Sequence, residues 1–202
     1  MKNIIFIIIF LYSVNACAQN PSTKILEPIT FGIADKLGGS LGLSFMPPDE
    51  EGWELKRSKS GVSVIKNGVS KDENKEIEGY IIQLDVPVDP ISSYIEQIKK
   101  NIQEGYANNP RFKIYAFEVM ADPSRPRCVR FHLLLEDIKP VRTVNHGYTK
   151  WSEQYVLSCG FLKYKGLGVE LRYYDRYYDP NKDSHLAEKA EKVFESVTID
   201  DK

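Results

Sequence analysis

The sequence predicts an α+β domain in which an antiparallel β-sheet meander carries two amphipathic helices. Most of the chain after Leu41 alternates apolar and polar residues with a period of two, which is typical of half-buried strands. Two other segments carry apolar residues at helical spacing, one before and one after a run of long strands. The strands of this run follow one another through short polar turns, and such connections join antiparallel strands.

The composition indicates a globular domain with a substantial core. The chain has 202 residues, of which 42% are hydrophobic and 27% are charged. These values exclude a disordered, a collagen-like or a polytopic membrane protein. Lys and Arg number 27 and Asp and Glu number 28, so the charge is balanced and no nucleic-acid partner is expected.

Residues 1–16 have the pattern of a secretory signal peptide of the lipoprotein type. Lys2 precedes an uninterrupted apolar run, residues 4–12, which is shorter than the ~18–20 residues of a transmembrane helix. The following Val14-Asn15-Ala16-Cys17 resembles the lipobox of bacterial lipoproteins. This resemblance implies that Cys17 is lipidated, for example by palmitate, and becomes the mature N-terminus. The alternative is simple cleavage after Ala18, which would remove Cys17.

The same resemblance gives an expected location. Ala18 rather than Asp follows the cysteine, and in lipoproteins this implies sorting to the outer membrane. We therefore expect an exported protein that a lipid anchor holds on the periplasmic side of the cell outer membrane. Residues 17–40 contain scattered Pro and Gly without a sustained period, and they are predicted to form a tether with at most one short strand at 29–33.

A single folded domain is expected over residues 41–202, and its first elements are strands. Alternating apolar residues predict strands at 41–46, 53–59, 62–66 and 79–86. Residues 66–78 are rich in Lys, Asp, Glu and Asn, and they are expected to form an exposed loop.

A helix, four long strands and a closing helix are predicted next. The helix begins with Asp89 as its cap and Pro90 at its first position, and it ends near Gly105. Long strands are predicted at 112–122, 128–137, 148–162 and 166–178. The closing helix spans 184–197, with Asp183 or Ser184 as its cap. Its apolar stripe consists of Leu186, Ala190, Val193, Phe194 and Val197.

This order of elements resembles the Mog1/PsbP-like fold. Pro47-Pro48 through Trp53 is similar to the opening segment of that family, and Phe194-Glu195-Ser196-Val197 is similar to its tail. The resemblance covers about residues 41–200 and implies the fold only. Members of the family serve different functions and share no catalytic motif, so the resemblance implies no site residues.

Cys128 and Cys159 are expected to form a disulfide. Either route of signal cleavage leaves them as the two remaining thiols of an exported chain, and exported chains fold in an oxidising compartment. Cys128 opens one long strand and Cys159 lies late in the next, so an antiparallel hairpin would bring them together. The alternative is two reduced cysteines that pack as small hydrophobic residues.

The polar face of strand 166–178 is the candidate partner-binding surface. Its alternating side chains include Arg172, Tyr174, Arg176 and Tyr178, and Tyr and Arg are enriched in interface hot spots. The alternative is an ordinary exposed strand that is rich in Tyr because Tyr favours strands. The few histidines and cysteines are not at ligand spacing, so no metal and no cofactor are predicted.

A serine hydrolase is the rival class of function. Gly38-Gly39-Ser40-Leu41-Gly42 matches the nucleophile-elbow pattern, and Asp175 or Asp179 and then His185 follow in the order of a triad. That motif needs a helix after the serine, whereas this sequence predicts a strand. The favoured hypothesis is therefore a non-enzymatic envelope lipoprotein that acts as a protein-binding or accessory module. An immunity-type lipoprotein that neutralises a toxin is the alternative within binding proteins.

Overall fold

The structure is a computed structural model that describes residues 24–34, 40–58, 61–140 and 147–201. The predicted signal peptide 1–16 and the predicted lipidation site Cys17 lie outside the described residues. The strands are β1 (Ile29–Ala34), β2 (Ser40–Phe45), β3 (Glu54–Arg57), β4 (Gly61–Asn67), β5 (Asn74–Gln83), β6 (Phe112–Ala121), β7 (Cys128–Asp137), β8 (Lys150–Gly160), β9 (Leu167–Tyr178) and β10 (Thr198–Asp201). The helices are α1 (Ile91–Ala107) and α2 (Leu186–Glu195).

The strands form two antiparallel sheets, which confirms the α+β class. The large sheet has the order β3-β4-β5-β9-β8-β7-β6, and the small sheet has the order β1-β2-β10. Strands β6 to β9 pair in sequence order, as the predicted meander requires. Strand β5 pairs with β9, so β9 lies in the middle of the large sheet.

Strict alternation along the strands builds one hydrophobic core on each face of the large sheet. On β7, Val129 and Phe131 pack against α1, together with Tyr94 and Ile98 of that helix. Cys128 lies on the opposite face, in the core that also holds α2 and the small sheet. We call these the α1 face and the α2 face. A one-residue slip of any strand would exchange the two sets of side chains, so burial on both faces fixes the register.

Strand β1 belongs to the folded body, where the sequence analysis expected a tether over 17–40. Ile29 and Phe31 are buried in the core of the α2 face, and β1 pairs along its whole length with β2. The Phe31 ring lies directly against the middle of β5, and a Cβ atom built on Gly79 would overlap Phe31 Cε1. A side chain at position 79 would therefore displace this ring.

Strand β5 begins five residues earlier than predicted, because Asn74–Glu78 is strand rather than loop. These charge-rich residues continue the ladder with β9, from Asn74 opposite Arg176 to Gln83 opposite Leu167. Ile77 is fully buried on the α2 face, whereas Glu76 and Glu78 face the other way, beside arginines of β9. Complementary charge on the neighbouring strand allows carboxylates in the middle of a sheet.

Both helices lie where the sequence predicts them, with different caps. Pro90 occupies the N-cap position of α1, and no side chain caps that helix. His185 is the N-cap residue of α2, and Asp183 Oδ1 accepts a hydrogen bond of 3.0 Å from the His185 backbone N–H. Among the described residues, neither helix is long and apolar enough to cross a membrane.

Candidate functional site

The polar side chains on the α1 face of β5 and β9 form the candidate site. Helix α1 packs on β6 and β7, at the other side of this face. Arg172 lies directly opposite Val156, a residue of the α1 core, which places the even-numbered residues of β9 on the α1 face. We call the following residues the polar face: Glu76, Glu78, Tyr80, Glu170, Arg172, Tyr174 and Arg176.

Glu76 is the most fully bonded carboxylate of the polar face. It accepts hydrogen bonds from the hydroxyl groups of Ser63 and Tyr174, and Asn74 Nδ2 lies 3.4 Å from its Oε2 atom. Burial raises the pKa of Tyr174, and its hydrogen bond to Glu76 adds to this rise. Tyr174 therefore stays a protonated donor, and the pair joins β5 to β9 across the sheet.

Arg172 is held in one orientation by two neighbours. Its Nη2 atom donates to Tyr80 Oη at 2.6 Å and to Glu170 Oε1 at 2.8 Å. Tyr80 also donates a hydrogen bond to Glu170, and its ring centroid lies 5.7 Å from the guanidinium carbon of Arg172. The Nε atom of Arg172 is buried and has no hydrogen-bond partner. The guanidinium is thus fixed while part of its donor capacity is unused.

Glu78 is the least compensated carboxylate of the polar face. Burial raises its pKa, and the negative charge of Glu76 two residues away raises it further, while Arg172 acts in the opposite direction. Arg176 is exposed, and its guanidinium carbon lies 5.1 Å from the ring centroid of Tyr174. The polar face can therefore offer a partner donors from the two arginines and an acceptor from Glu78.

The structure corrects the expected partner surface at its two tyrosines. Tyr174 is 6% exposed and Tyr178 is 1% exposed, so neither presents a free ring to solvent. Tyr178 donates to Asp72 Oδ2 at 2.7 Å, and its backbone N–H donates to Glu73 at 2.9 Å. The turn between β4 and β5 thus binds the end of β9. Arg172 is half-buried, and Arg176 is the exposed member of the four.

Sequence reasoning missed Glu76 and Glu78 because it assigned residues 66–78 to a loop, and it placed Tyr80 on the predicted strand 79–86 without assigning it to a site. The available signal was the alternation of Glu76, Ile77, Glu78, Gly79 and Tyr80, which places both carboxylates and the tyrosine on one face of a strand. High local charge outweighed this alternation in the prediction.

Ser40, the nucleophile of the rival serine-hydrolase hypothesis, is the first residue of β2. This strand pairs antiparallel with β1, with Ser40 opposite Ala34. A strand therefore follows the serine, where a nucleophile elbow requires a helix. His185 is exposed, and its Nδ1 atom lies 3.4 Å from Glu188 Oε2. Asp179 accepts hydrogen bonds from Trp151 and from the Thr149 backbone.

A disulfide joins Cys128 and Cys159, as the sequence analysis expects. The two residues lie directly opposite each other on β7 and β8, and their Cα atoms are 4.1 Å apart. Both are buried in the core of the α2 face. The bond therefore crosses the core side of the meander and connects two neighbouring strands.

No protein-family model matches the chain, and no curated protein sequence matches it either. The resemblance to the Mog1/PsbP-like fold thus remains an expectation from the sequence. Among solved structures, the chain is similar to one described as the crystal structure of LpqN involved in cell envelope biogenesis of Mycobacterium tuberculosis. The TM-score is 0.49 and the identity 13%, over 86% of this chain and 91% of that chain. The function of this chain is therefore inferred from its own residues.

Proposed function

We propose that this chain is an exported, envelope-tethered binding module without catalytic activity, and that the polar face on β5 and β9 contacts a protein partner. The observation that carries the proposal is the fixed Arg172 guanidinium beside the exposed Arg176 and the undercompensated Glu78. Arg and Tyr at a partly desolvated site are the residue types that contribute most to protein–protein affinity.

Preorganisation supports binding by this surface. Two antiparallel strands in the middle of a seven-stranded sheet hold the side chains, and Arg172 is already oriented by Tyr80 and Glu170. A side chain that is ordered before binding loses little conformational entropy on association, so more of the contact energy appears as affinity. The exposed guanidinium of Arg176 gives a partner carbonyl or carboxylate a specific point of attachment.

The N-terminal pattern and the disulfide support an envelope location. The apolar run with its following lipobox-like Val14–Cys17 segment is typical of lipoproteins, and disulfides persist in oxidising compartments outside the cytosol. We propose anchoring through acyl chains on Cys17, on the periplasmic side of the outer membrane. The position of Ser40 at the start of a strand favours binding over the rival serine hydrolase.

Photo-crosslinking from the polar face tests the proposal. A photoreactive residue at Arg176, in the envelope of the native cell, should give one discrete crosslinked partner that a reporter at Lys100 on the exposed side of α1 does not give. Arg176→Glu should weaken capture of the identified partner at least tenfold. The melting temperature should fall only slightly, because the side chain is exposed and loses no more than its contact with the Tyr174 ring and its attraction to Glu78.

Two results would contradict the proposal. The first is equal crosslinking from both positions, and the second is undiminished capture by the Arg176→Glu variant. Lys100→Glu is the matched control, since it makes the same charge change at another exposed site. Ser40→Ala tests the hydrolase alternative, because an enzyme using Ser40 would lose turnover whereas a binding module would keep its partner.

A further inference from the structure

A cavity of about 320 Å³ lies on the α2 face, between the β4–β5 turn and the end of β9. Its walls combine the carboxylates of Glu73 and Asp175, the cations of Lys66, Lys75 and Arg176, and the neutral polar side chains of Tyr177 and Asn181. Asp175 and Tyr177 are odd-numbered residues of β9 and lie on the side of the sheet opposite the polar face, and Arg176 of the polar face also lines this cavity.

Asp175 supplies a buried acceptor to this cavity that forms an ion pair with Lys75 and accepts no hydrogen bond. The residue is 3% exposed, and its Oδ2 atom has no hydrogen-bond partner. The ammonium nitrogen of Lys75 is 3.9 Å from this oxygen, which is beyond hydrogen-bond distance. Lys75 donates instead to Asp183. A buried carboxylate oxygen without a donor is costly, so the site favours a group that supplies one.

Most of the charged groups that act on the Asp175 carboxyl are themselves carboxylates. The charged residues that face it come from four elements: Lys75 of β5, Glu153 of β8, Glu73 of the β4–β5 turn and Asp183 before α2. Burial raises the pKa of Asp175 to about 7, and although Lys75 opposes this, Asp183, Glu153 and Glu73 raise it further. Three carboxylates and the Lys75 ammonium thus act on this carboxyl group. Two further cations line the cavity: Lys66, which donates to Glu50 at 2.7 Å, and Arg176, which lies over the Tyr174 ring.

The surrounding carboxylates are already satisfied, in contrast to Asp175. Asp183 accepts from Lys75 and from Lys189, the latter at 2.8 Å. Glu73 accepts from Asn181 at 2.8 Å and from the Tyr178 backbone. Glu153 accepts from Tyr177 at 2.9 Å and lies 3.6 Å from the Lys182 ammonium. A cation that enters the cavity would therefore pair with Asp175 and leave its neighbours' hydrogen bonds in place.

We propose that this cavity binds the primary ammonium group of a small organic amine, with Asp175 Oδ2 accepting one of its N–H bonds. An ammonium supplies the N–H donor that Asp175 Oδ2 lacks. A metal ion fits less well, because no group of three or more His, Cys, Asp or Glu side chains among the described residues is arranged to hold one.

Titration of the full chain with ethylammonium chloride tests the proposal. At pH 8 the amine should raise the melting temperature along a saturable curve, and calorimetry should give one site. Tetramethylammonium carries the same charge without an N–H donor, so it should produce only the response to ionic strength. The apparent affinity for ethylammonium should fall about tenfold per pH unit well below pH 7, because a protonated Asp175 cannot pair with a cation.

Two variants test whether Asp175 binds the amine. Asp175→Asn should abolish the saturable response, whereas Asp85→Asn, which removes the same charge at an exposed position, should keep it. An equal response to both cations would overturn the proposal, and so would the absence of a saturable response or its persistence in Asp175→Asn. The comparison of the two cations uses the unmodified chain, so it tests the proposal even if the Asp175 variant folds poorly.

Discussion

Glu153 on β8 and Asp175 on β9 lie directly opposite each other on the α2 face, and their pKa values are shifted in opposite directions. Burial alone would raise the pKa of Glu153, but hydrogen bonds with His132 and Tyr177 outweigh it and lower the pKa to about 2. Asp175 has no comparable donors, and burial raises its pKa to about 7. Two adjacent carboxyl groups thus differ in charge below neutral pH because their hydrogen bonds differ.

We expect Glu153→Gln to destabilise the protein at pH 7 by roughly 1–3 kcal/mol, after allowance for solvent screening. The folded-state pKa of Glu153 lies below the unfolded value, so its contribution is present above about pH 4.5 and is lost as the pH falls towards 2. Urea unfolding at pH 7 and pH 3 measures the difference in the free energy of unfolding between the variant and the parent chain. An equally large loss at both pH values would mean that packing, not charge, is responsible. Glu104→Gln, at an exposed position, is the control.

Asp175→Asn should stabilise the protein, in contrast to Glu153→Gln. In the folded protein Asp175 keeps its proton up to about pH 7, whereas in the unfolded chain it keeps the proton only up to about pH 4. This carboxyl therefore lowers the free energy of unfolding progressively as the pH rises between these two values. The variant should therefore be more stable than the parent chain at pH 8, by about 2–4 kcal/mol, and the gain should shrink towards pH 4. Guanidinium unfolding at pH 8 and pH 5 tests it. A variant that is less stable at pH 8 would show that the carboxylate is compensated.

The meander and both helices were predictable because their signals are local. The alternation in β7 and β9 and the helical stripe of α2 each give the face that the structure buries. The start of β5 and the role of β1 were missed because both depend on distant partners. Asn74–Glu78 is a strand only because β9 lies beside it, and Phe31 is a core residue only because Gly79 leaves room for its ring.

The candidate sites were less predictable because they too depend on residues that are distant in sequence. Arg172 and Arg176 were visible as alternating residues, but the burial of Tyr174 and Tyr178 depends on Glu76 and on the β4–β5 turn. The shifted pKa of Asp175 depends on four elements that are far apart in sequence. A single sequence shows which residue types are present but not which of them lie close together, so it does not predict that side chains from four separate elements meet around Asp175.

The disulfide makes a prediction about redox state. Denatured but unreduced protein should leave Cys128 and Cys159 unlabelled by an alkylating reagent, and reduction should lower the free energy of unfolding. The bond closes a loop with a sequence separation of 31 residues, and constraint of the unfolded chain by such a loop is worth about 3–4 kcal/mol. A chain with both residues changed to Ala is the control, because reductant should not affect it. Full labelling without reductant would refute the bond.

Lipidation of Cys17 predicts the mass and the location of the mature protein. Protein extracted from membranes should begin at Cys17 and carry the additional mass of its acyl chains, and Cys17→Ser should lose both this mass and the membrane association. The rest of the chain has a balanced charge, so electrostatic attraction to lipid would not replace the anchor. Intact-mass spectrometry decides the matter. A mature chain that begins at unmodified Gln19 would exclude a lipid anchor.

A substitution at Gly79 tests whether β1 packs on the large sheet as described. Gly79→Ala should destabilise the protein by about 1–3 kcal/mol, because the new methyl group would overlap the Phe31 ring. Gly105→Ala is the matched control: apart from its chain neighbours and the backbone of its own helix, no atom lies within 4 Å of the added Cβ, so this change in α1 should stabilise by about 0.5–1 kcal/mol. Equilibrium unfolding of both variants gives the comparison.

A double-mutant cycle with Phe31→Leu separates the ring contact from the strand itself. If the Phe31 ring causes the cost of Gly79→Ala, a smaller and more flexible side chain at position 31 should reduce that cost by more than 0.5 kcal/mol. Additive effects of the two changes would mean that β1 does not press on β5, and residues 29–34 would then act as the tether that the sequence predicts. Coupling between the two positions would instead make β1 an integral strand, with the membrane tether confined to the residues before it.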